Sequence, residues 1–194
     1  TNIAIQSAVN TFGTDTTAAW SAYGKLDAIF WMVSTAFGIA ITTFVGQNYG
    51  AGKMDRVRRI FWTCMASSVA FCAAFNWLFA WQDEFFLSFF SNVPEVQHYG
   101  SIRMHLVLAL QFLASSYEIA GSSMRGMGKS LTPAPLTVFG TCMLRMVWVY
   151  AVCPVWRGYD ILMLVYPVSW ILTGTLVLTA YWMTIRKQGK LTRV

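Results

Sequence analysis

Apolar and polar positions along this chain do not alternate. They are segregated into long apolar runs separated by short polar turns. Residues 28–52, 60–82 and 161–185 carry no charged side chain, and each run exceeds the ~20 residues with which an α-helix crosses a hydrocarbon core. Residues 104–125 and 136–154 are also apolar, but a charge interrupts each, Glu118 in the first and Arg145 in the second. The pattern predicts an all-α, polytopic helical membrane protein in which residues 1–194 form one transmembrane lobe. Spans are expected over about 26–46, 60–81, 100–125, 136–154 and 161–185, after a partial helix over 1–12 that Gly13 and the polar run 14–17 stop. Residues 18–25 read as a short connection or as the first turns of the next helix.

Within the first full span, Ser34, Gly38, Thr42 and Gly46 recur at every fourth position. Small residues at that spacing let a second backbone approach closely where lipid supplies no hydrophobic drive between helices. The span runs out through Gly46, Gln47, Asn48, Gly50 and Gly52 into Lys53, Arg56, Arg58 and Arg59, with Asp55 the one acid. These glycines are expected to supply the backbone conformations that end one helix and begin another. Basic residues in successive loops then count as rich, poor, intermediate, poor and rich. By the positive-inside rule, the loops at Arg56 and Lys129 and the C-terminal tail at Arg186, Lys187, Lys190 and Arg193 are cytoplasmic, and those at Glu84 and Arg157 are outside. Trp77, Trp81, Trp148 and Trp156 fall at the expected outer boundary, and Trp62 and Trp182 at the inner one, as interfacial aromatics do.

Composition agrees with the pattern. Of 194 residues 56% are hydrophobic and 11% charged, against about 25% charged in an ordinary soluble domain. The net charge of +6 does not point to nucleic acid, because the basic residues sit in short loops and not in a stripe with exposed aromatics. The chain begins at Thr1 without a signal-peptide pattern and reads as part of a longer protein. Cys64, Cys72 and Cys142 fall inside expected spans and Cys153 at a span end, without metal-ligand spacing, so they read as small packing residues.

Candidate chemistry is sparse. GQNYGAGK has the glycines and lysine of a phosphate loop, but Met54 follows Lys53 where Ser or Thr is required, and a membrane helix precedes it instead of a strand. At 100° per residue, Gln111, Ser115, Glu118, Ser122 and Arg125 share one face of an otherwise apolar helix. A charge at the centre of a membrane helix costs about 2.5–3.5 kcal/mol on insertion scales. Such a face therefore points into protein or a wet cavity, and Glu118 is a candidate for binding a proton, a cation or a cationic substrate. Its structural alternative is an ion pair with Arg125 or Arg145. Arg145, near the middle of its span, requires a buried partner, for which Glu118 is the candidate. Asp27 is expected to pair locally with Lys25. Gln6 and Asn10 share a helix face at i, i+4 and would line a cavity or bond a neighbouring helix. His105 reads as an interfacial or hydrogen-bonded histidine. No Ser-His-Asp set, HExxH, CxxC or paired-aspartate motif supports an enzyme.

Three blocks carry a family resemblance: AVNTFGTDTTAAWSAYGKLDAI at 8–29, FVGQNYGAGKMDRVRR at 44–59 and YEIAGSSMRGMGKSLTPAP at 117–135. The chain resembles the C-terminal half of the multidrug and toxic compound extrusion (MATE) transporters, and the likeness runs along essentially its whole length. The resemblance implies helices seven, incomplete, to twelve of a two-lobed transporter whose N-terminal lobe belongs to the same protein. It implies export of drugs or organic cations across the plasma membrane (the inner membrane in bacteria), driven by H+ or Na+ influx, with no cofactor beyond the coupling ion and no metal centre. In some members, coupling carboxylates lie on the seventh and tenth helices, and Glu118 is on the expected tenth; others use an aspartate on the first helix of the N-terminal lobe. The seventh-helix remnant offers Asn10, where the corresponding first-helix motif usually has an acid. Glu118, Asn10, Gln111 and Arg145 are thus the residues expected to bind cation or substrate, and Gly46, Gln47, Asn48, Gly50 and Gly52 form the signature turn. A lipid-linked precursor flippase of the same superfamily and a non-transporting membrane scaffold are the alternatives.

Overall fold

The structure, a computed structural model, describes residues 2–156 and 158–191. Arg157 and Arg193, counted above in a loop and in the tail, lie outside the described residues, as does the side chain of Lys190. Helix α1 (Asn2–Asn10) turns through Gly13, at φ +112°, directly into α2 (Thr14–Gly50). Residues 18–25 are therefore the early turns of one 37-residue helix. Helix α3 (Met54–Trp81) returns antiparallel, and its first turns carry the basic cluster. After the short α4 (Asp83–Ser88) come α5 (Pro94–Leu106) and α6 (Phe112–Gly126), separated by a 3-10 turn over Leu108–Leu110. The segment expected as a single span is thus two α-helices with a break between them. Helix α7 (Pro133–Val152) contains two π-helical stretches, Val138–Met143 and Trp148–Val152. Helix α8 joins Tyr159–Met163 to Val165–Leu191.

Among the described residues, Thr14–Gly50, Met54–Trp81, Pro133–Val152 and Tyr159–Gln188 are helices long and apolar enough to cross a membrane. With its all-α fold the chain is a helical, multi-pass membrane protein. Large side chains such as Met32, Ile39, Phe44, Phe139, Tyr150 and Met183 stay exposed on the outer faces of these helices, the pattern of a surface solvated by lipid.

Helix α6 is the hub, packed on α2, α3 and α8. It runs parallel to α2 at a constant register: Asp27 meets Gln111, Gly38 meets Ser122 and Thr42 meets Gly126. A Cβ on Gly126 would stand 2.6 Å from the Thr42 carbonyl oxygen, and one on Gly46 would stand 3.3 Å from the Gly126 carbonyl. The small-residue stripe of α2 is therefore the face that accepts α6. Both helices end in the same way. Gly52 (φ +70°) and Gly128 (φ +75°) take the left-handed conformation. The N–H groups of Lys53 and Lys129 reach back to the carbonyls of Asn48 and Met124, each at 2.9 Å, which closes a Schellman cap on GAGK and on GMGK. Of the signature glycines, then, Gly52 supplies the turn and Gly46 the close approach. Gly50 is helical with nothing within 4 Å of its Cβ position, so the expectation that all three bend the backbone is corrected.

Candidate functional site

The break between α5 and α6 sets the geometry of a polar cavity of about 350 Å3 among α1, α2, α5, α6, α7 and α8. At the break the chain tightens over Leu108–Leu110, and the Trp77 indole N–H donates to the Ala109 carbonyl at 3.1 Å. Arg103, before the break, and Gln111, after it, both line the cavity. Opposite them, α2 presents Trp20, Tyr23, Gly24, Asp27 and Trp31, the i, i+3, i+4, i+7, i+11 face of a helix.

Hydrogen bonds tie the two sides together. The Tyr23 hydroxyl donates to Gln111 Oε1 at 3.1 Å, and Gln111 Nε2 donates to the Asp27 carboxylate. The amide orientation of Gln111, itself buried, is thereby fixed by one donor and one acceptor. Asp27 has Gln111 as its partner and not the adjacent Lys25. Arg103 is 4% exposed, and its guanidinium carbon lies 3.4 Å from the centre of the Trp20 ring and 3.9 Å from that of Tyr23. Its Nε and Nη1 atoms have no hydrogen-bond partner. Arg145 enters from α7, with its Nε donating to Ser169 Oγ at 3.2 Å and its guanidinium carbon 4.5 Å from the Tyr166 ring centre. Its partners are thus Ser169 and Tyr166, which corrects the expected pairing with Glu118.

Glu118 belongs to a second cluster farther along the α2–α6 seam. Arg125 Nη2 donates to Glu118 Oε1 at 2.7 Å and to Ser122 Oγ at 2.6 Å, and Ser122 Oγ donates to Glu118 Oε1 at 3.2 Å. With Gly38 and Thr42 these groups line a shallower hollow of about 220 Å3. The side chains of Glu118 and Arg125 are 25% and 43% exposed, so this ion pair is half-open and not a sealed structural bridge. The expected polar stripe is therefore divided, with Gln111 in the cavity, Glu118, Ser122 and Arg125 in this hollow, and Ser115 lining neither.

Asn10 stands in neither. It is exposed and accepts from the Thr17 hydroxyl at 3.2 Å, while Gln6, one turn earlier, lines the cavity. His105 is held by the Ser101 carbonyl at 3.0 Å and lies 3.7 Å from Asp83, to which the Ser101 hydroxyl also donates. In the signature turn Asn48 bonds back along its own helix, with Nδ2 donating to the Phe44 carbonyl at 2.9 Å. Sequence reasoning did not single out Arg103, and it expected Asp27 to pair with Lys25. The helical spacing of Trp20, Tyr23, Gly24 and Asp27 was the signal available.

A protein-family model described as MatE matches residues 1–151. The chain belongs to the MatE family. Among curated proteins, the chain is 24% identical over 137 residues to "Probable multidrug resistance protein YoeA" of Bacillus subtilis (strain 168), covering 71% of the chain and 30% of that protein. The Vibrio cholerae MATE transporter VcmN, solved in the bent form, superposes with a TM-score of 0.83 at 15% identity, over 93% of this chain and 41% of its own. The MATE transporter ClbM, solved in complex with Rb+, gives a TM-score of 0.72 at 17% identity, over 90% of this chain and 42% of its own. These two likenesses show the fold. The chain spans less than half the length of each of these three relatives.

Proposed function

We propose that the protein containing this lobe is a secondary active multidrug exporter, an antiporter that moves small-molecule drugs outward against H+ or Na+ influx. The MatE match across residues 1–151 carries the reading. The curated relative named as a multidrug resistance protein supports it, and the cavity among the helices gives it a place for cargo. It is a carrier and not an enzyme. A second, N-terminal lobe closes the transport path, following the general logic of transporters built from paired repeats. Organic cations are the cargo that the family resemblance implies.

In this proposal Glu118 is the cation-responsive group. Its carboxylate is half-open and sits beside two hydroxyl side chains and Arg125, which an incoming cation or proton would displace. The Rb+ of the ClbM complex is in keeping with a monovalent cation acting in this fold. Gln111 and Arg145 line the cargo cavity, and Asn10 stands outside it on the exposed face of α1. The loops at Arg56 and Lys129 and the C-terminus face the cytoplasm, and the protein resides in the plasma membrane. A second reading, a flippase for lipid-linked precursors, draws on the two arginines of the cavity, Arg103 and Arg145.

Efflux of ethidium from sealed proteoliposomes of the full-length protein, under an imposed Na+ or H+ gradient, tests the proposal. Gradient-dependent efflux that falls in Glu118→Gln at normal insertion is the expected result. No gradient-driven movement of ethidium or of a panel of other drugs would overturn it.

A further inference from the structure

We infer that the cavity between α2, α5 and α8 binds the anionic group of an organic anion, a carboxylate or phosphate carried on a flat or apolar body, and does not bind an organic cation. The inference rests on the exporter reading only in taking the cavity to lie on the transport path, and it names anions as the cargo of this cavity in place of the organic cations that the family resemblance implies.

The balance of charge and hydrogen-bonding capacity carries it. Two guanidinium groups, Arg103 and Arg145, face one carboxylate, Asp27. Among the described residues neither arginine forms an ion pair with Asp27. That carboxylate is already engaged by Gln111, which Tyr23 fixes in turn. What is left over is almost entirely donor. Arg103 Nε and Nη1 and Trp170 Nε1 are buried without partners, on side chains 4% and 2% exposed, and both side chains line the cavity.

A purely structural role for Arg103 accounts for only part of this geometry. The rings of Trp20 and Tyr23 lie against the guanidinium, and the hydroxyls of Tyr23 and Tyr159 are its polar neighbours. Nε and Nη1 nevertheless stay without a partner. They are donors for a planar or tetrahedral anion, which arginine binds in bidentate fashion. Leaving such donors buried and unmade is costly, and a ligand with acceptor oxygens removes the cost. A cationic ligand would leave it in place and would add repulsion from two guanidinium groups. Trp31, Tyr166 and Trp170 supply aromatic walls for the body of the ligand.

The test is equilibrium binding of radiolabelled 1-naphthoate, 1-naphthylmethylammonium and farnesyl phosphate to the full-length transporter in nanodiscs. At least one anion is expected to bind ten times more tightly than the ammonium. Arg103→Gln and Arg145→Gln should each weaken it about 10- to 100-fold, the worth of a charge-assisted hydrogen bond. Gly24→Leu guards against misfolding of the arginine variants: Gly24 lines the cavity, and nothing lies within 4 Å of its Cβ position. The Cβ of a leucine there meets no packed atom, and the side chain beyond it would fill the cavity, so Gly24→Leu should abolish binding. Naphthoate binding supports a soluble organic anion, and binding of farnesyl phosphate alone supports the same anionic chemistry on a lipid tail. Tighter binding of the ammonium, binding of neither anion, or anion binding indifferent to all three variants would overturn the inference. Because the measurement needs no gradient, failure of gradient-driven efflux for ethidium and the whole drug panel would sink the exporter reading, while the binding result here would stand or fall separately.

Discussion

Gly126→Ala puts the α2–α6 seam to the test. The added Cβ would stand 2.6 Å from the Thr42 carbonyl oxygen, 3.2 Å from the Val45 Cβ and 3.3 Å from the Gly46 nitrogen. Two of these three atoms are backbone and cannot swing aside, so the helices must separate. Overpacking of this kind costs about 1–3 kcal/mol. Against it stands the helix propensity of alanine over glycine, up to about 1 kcal/mol in a helix interior and less at Gly126, the last residue of α6. Separation also stretches the hydrogen bond from the Thr42 hydroxyl to the Ser122 carbonyl, 3.1 Å here, worth about 0.6 kcal/mol between membrane helices. The net expectation is a loss of about 1–2 kcal/mol. At about 2–4 °C per kcal/mol for a cooperative unit of this size, the Tm of the full-length protein in detergent, followed by tryptophan fluorescence, should fall by roughly 2–8 °C. Gly50→Ala is the control, because Gly50 is helical and its Cβ position is empty; it should be neutral or stabilising. A Gly126→Ala protein as stable as the parent, or a Gly50→Ala protein equally impaired, would refute the packing described here.

Three further outcomes are expected. Gln111→Leu leaves the Tyr23 hydroxyl and the Asp27 carboxylate without the partner that joins them; at about 1–3 kcal/mol per orphaned buried group, more where it is charged, it should lower Tm. Gln111→Glu keeps the acceptor for Tyr23 but replaces the N–H donor to Asp27 with a second carboxylate, so it should lower Tm too; an unchanged Tm in either would refute the bridging role. Arg125→Gln releases Glu118 from its ion pair, so in vesicles the concentration of driving cation at half-maximal efflux should change while the affinity of cavity ligands stays within twofold; an unchanged cation dependence would remove the pair from coupling. A cysteine replacing Asp55, which is exposed on the first turn of α3, should react with an impermeant maleimide only from the cytoplasmic side, and labelling only from outside would invert the topology.

The helices were legible because lipid imposes a crude rule: charge-free runs of sufficient length must satisfy their own backbone and so become helices. The small-residue stripe on α2 was legible for the same kind of reason, since close approach needs missing side chains. The break after Leu106 was not, because residues 107–110 are valine, leucine and alanine, and neither glycine nor proline marks it. Arg103 was hidden by its neighbours in sequence. It follows an acidic loop, while the rings that lie against it, Trp20 and Tyr23, come from a helix some eighty residues earlier. Asp27 and Gln111, 84 residues apart, are likewise a pair that only the parallel register of α2 and α6 reveals. Glu118 was found from the sequence, but its choice between Arg125 and Arg145 depended on where α7 packs.

The two polar clusters share one mechanical frame. Along α2, Asp27 and Gly38 are eleven residues apart, about 16 Å at 1.5 Å per residue. On α6 the matching positions are Gln111 and Ser122, so the cavity and the Glu118 hollow are two stations on a single parallel seam. Between them lie the buried hydroxyls of Ser34 and Ser115. At its capped end the backbones are nearest, at Gly126 against Thr42, and the Thr42 hydroxyl bonds across. At its other end the link is a chain of side chains, Tyr23 to Gln111 to Asp27. In the exporter proposed above, a cation that rearranged Glu118, Ser122 and Arg125 would act beside the close backbone approach of Gly126 and Thr42, and any parting of α6 from α2 would reach the cavity through that chain of side chains.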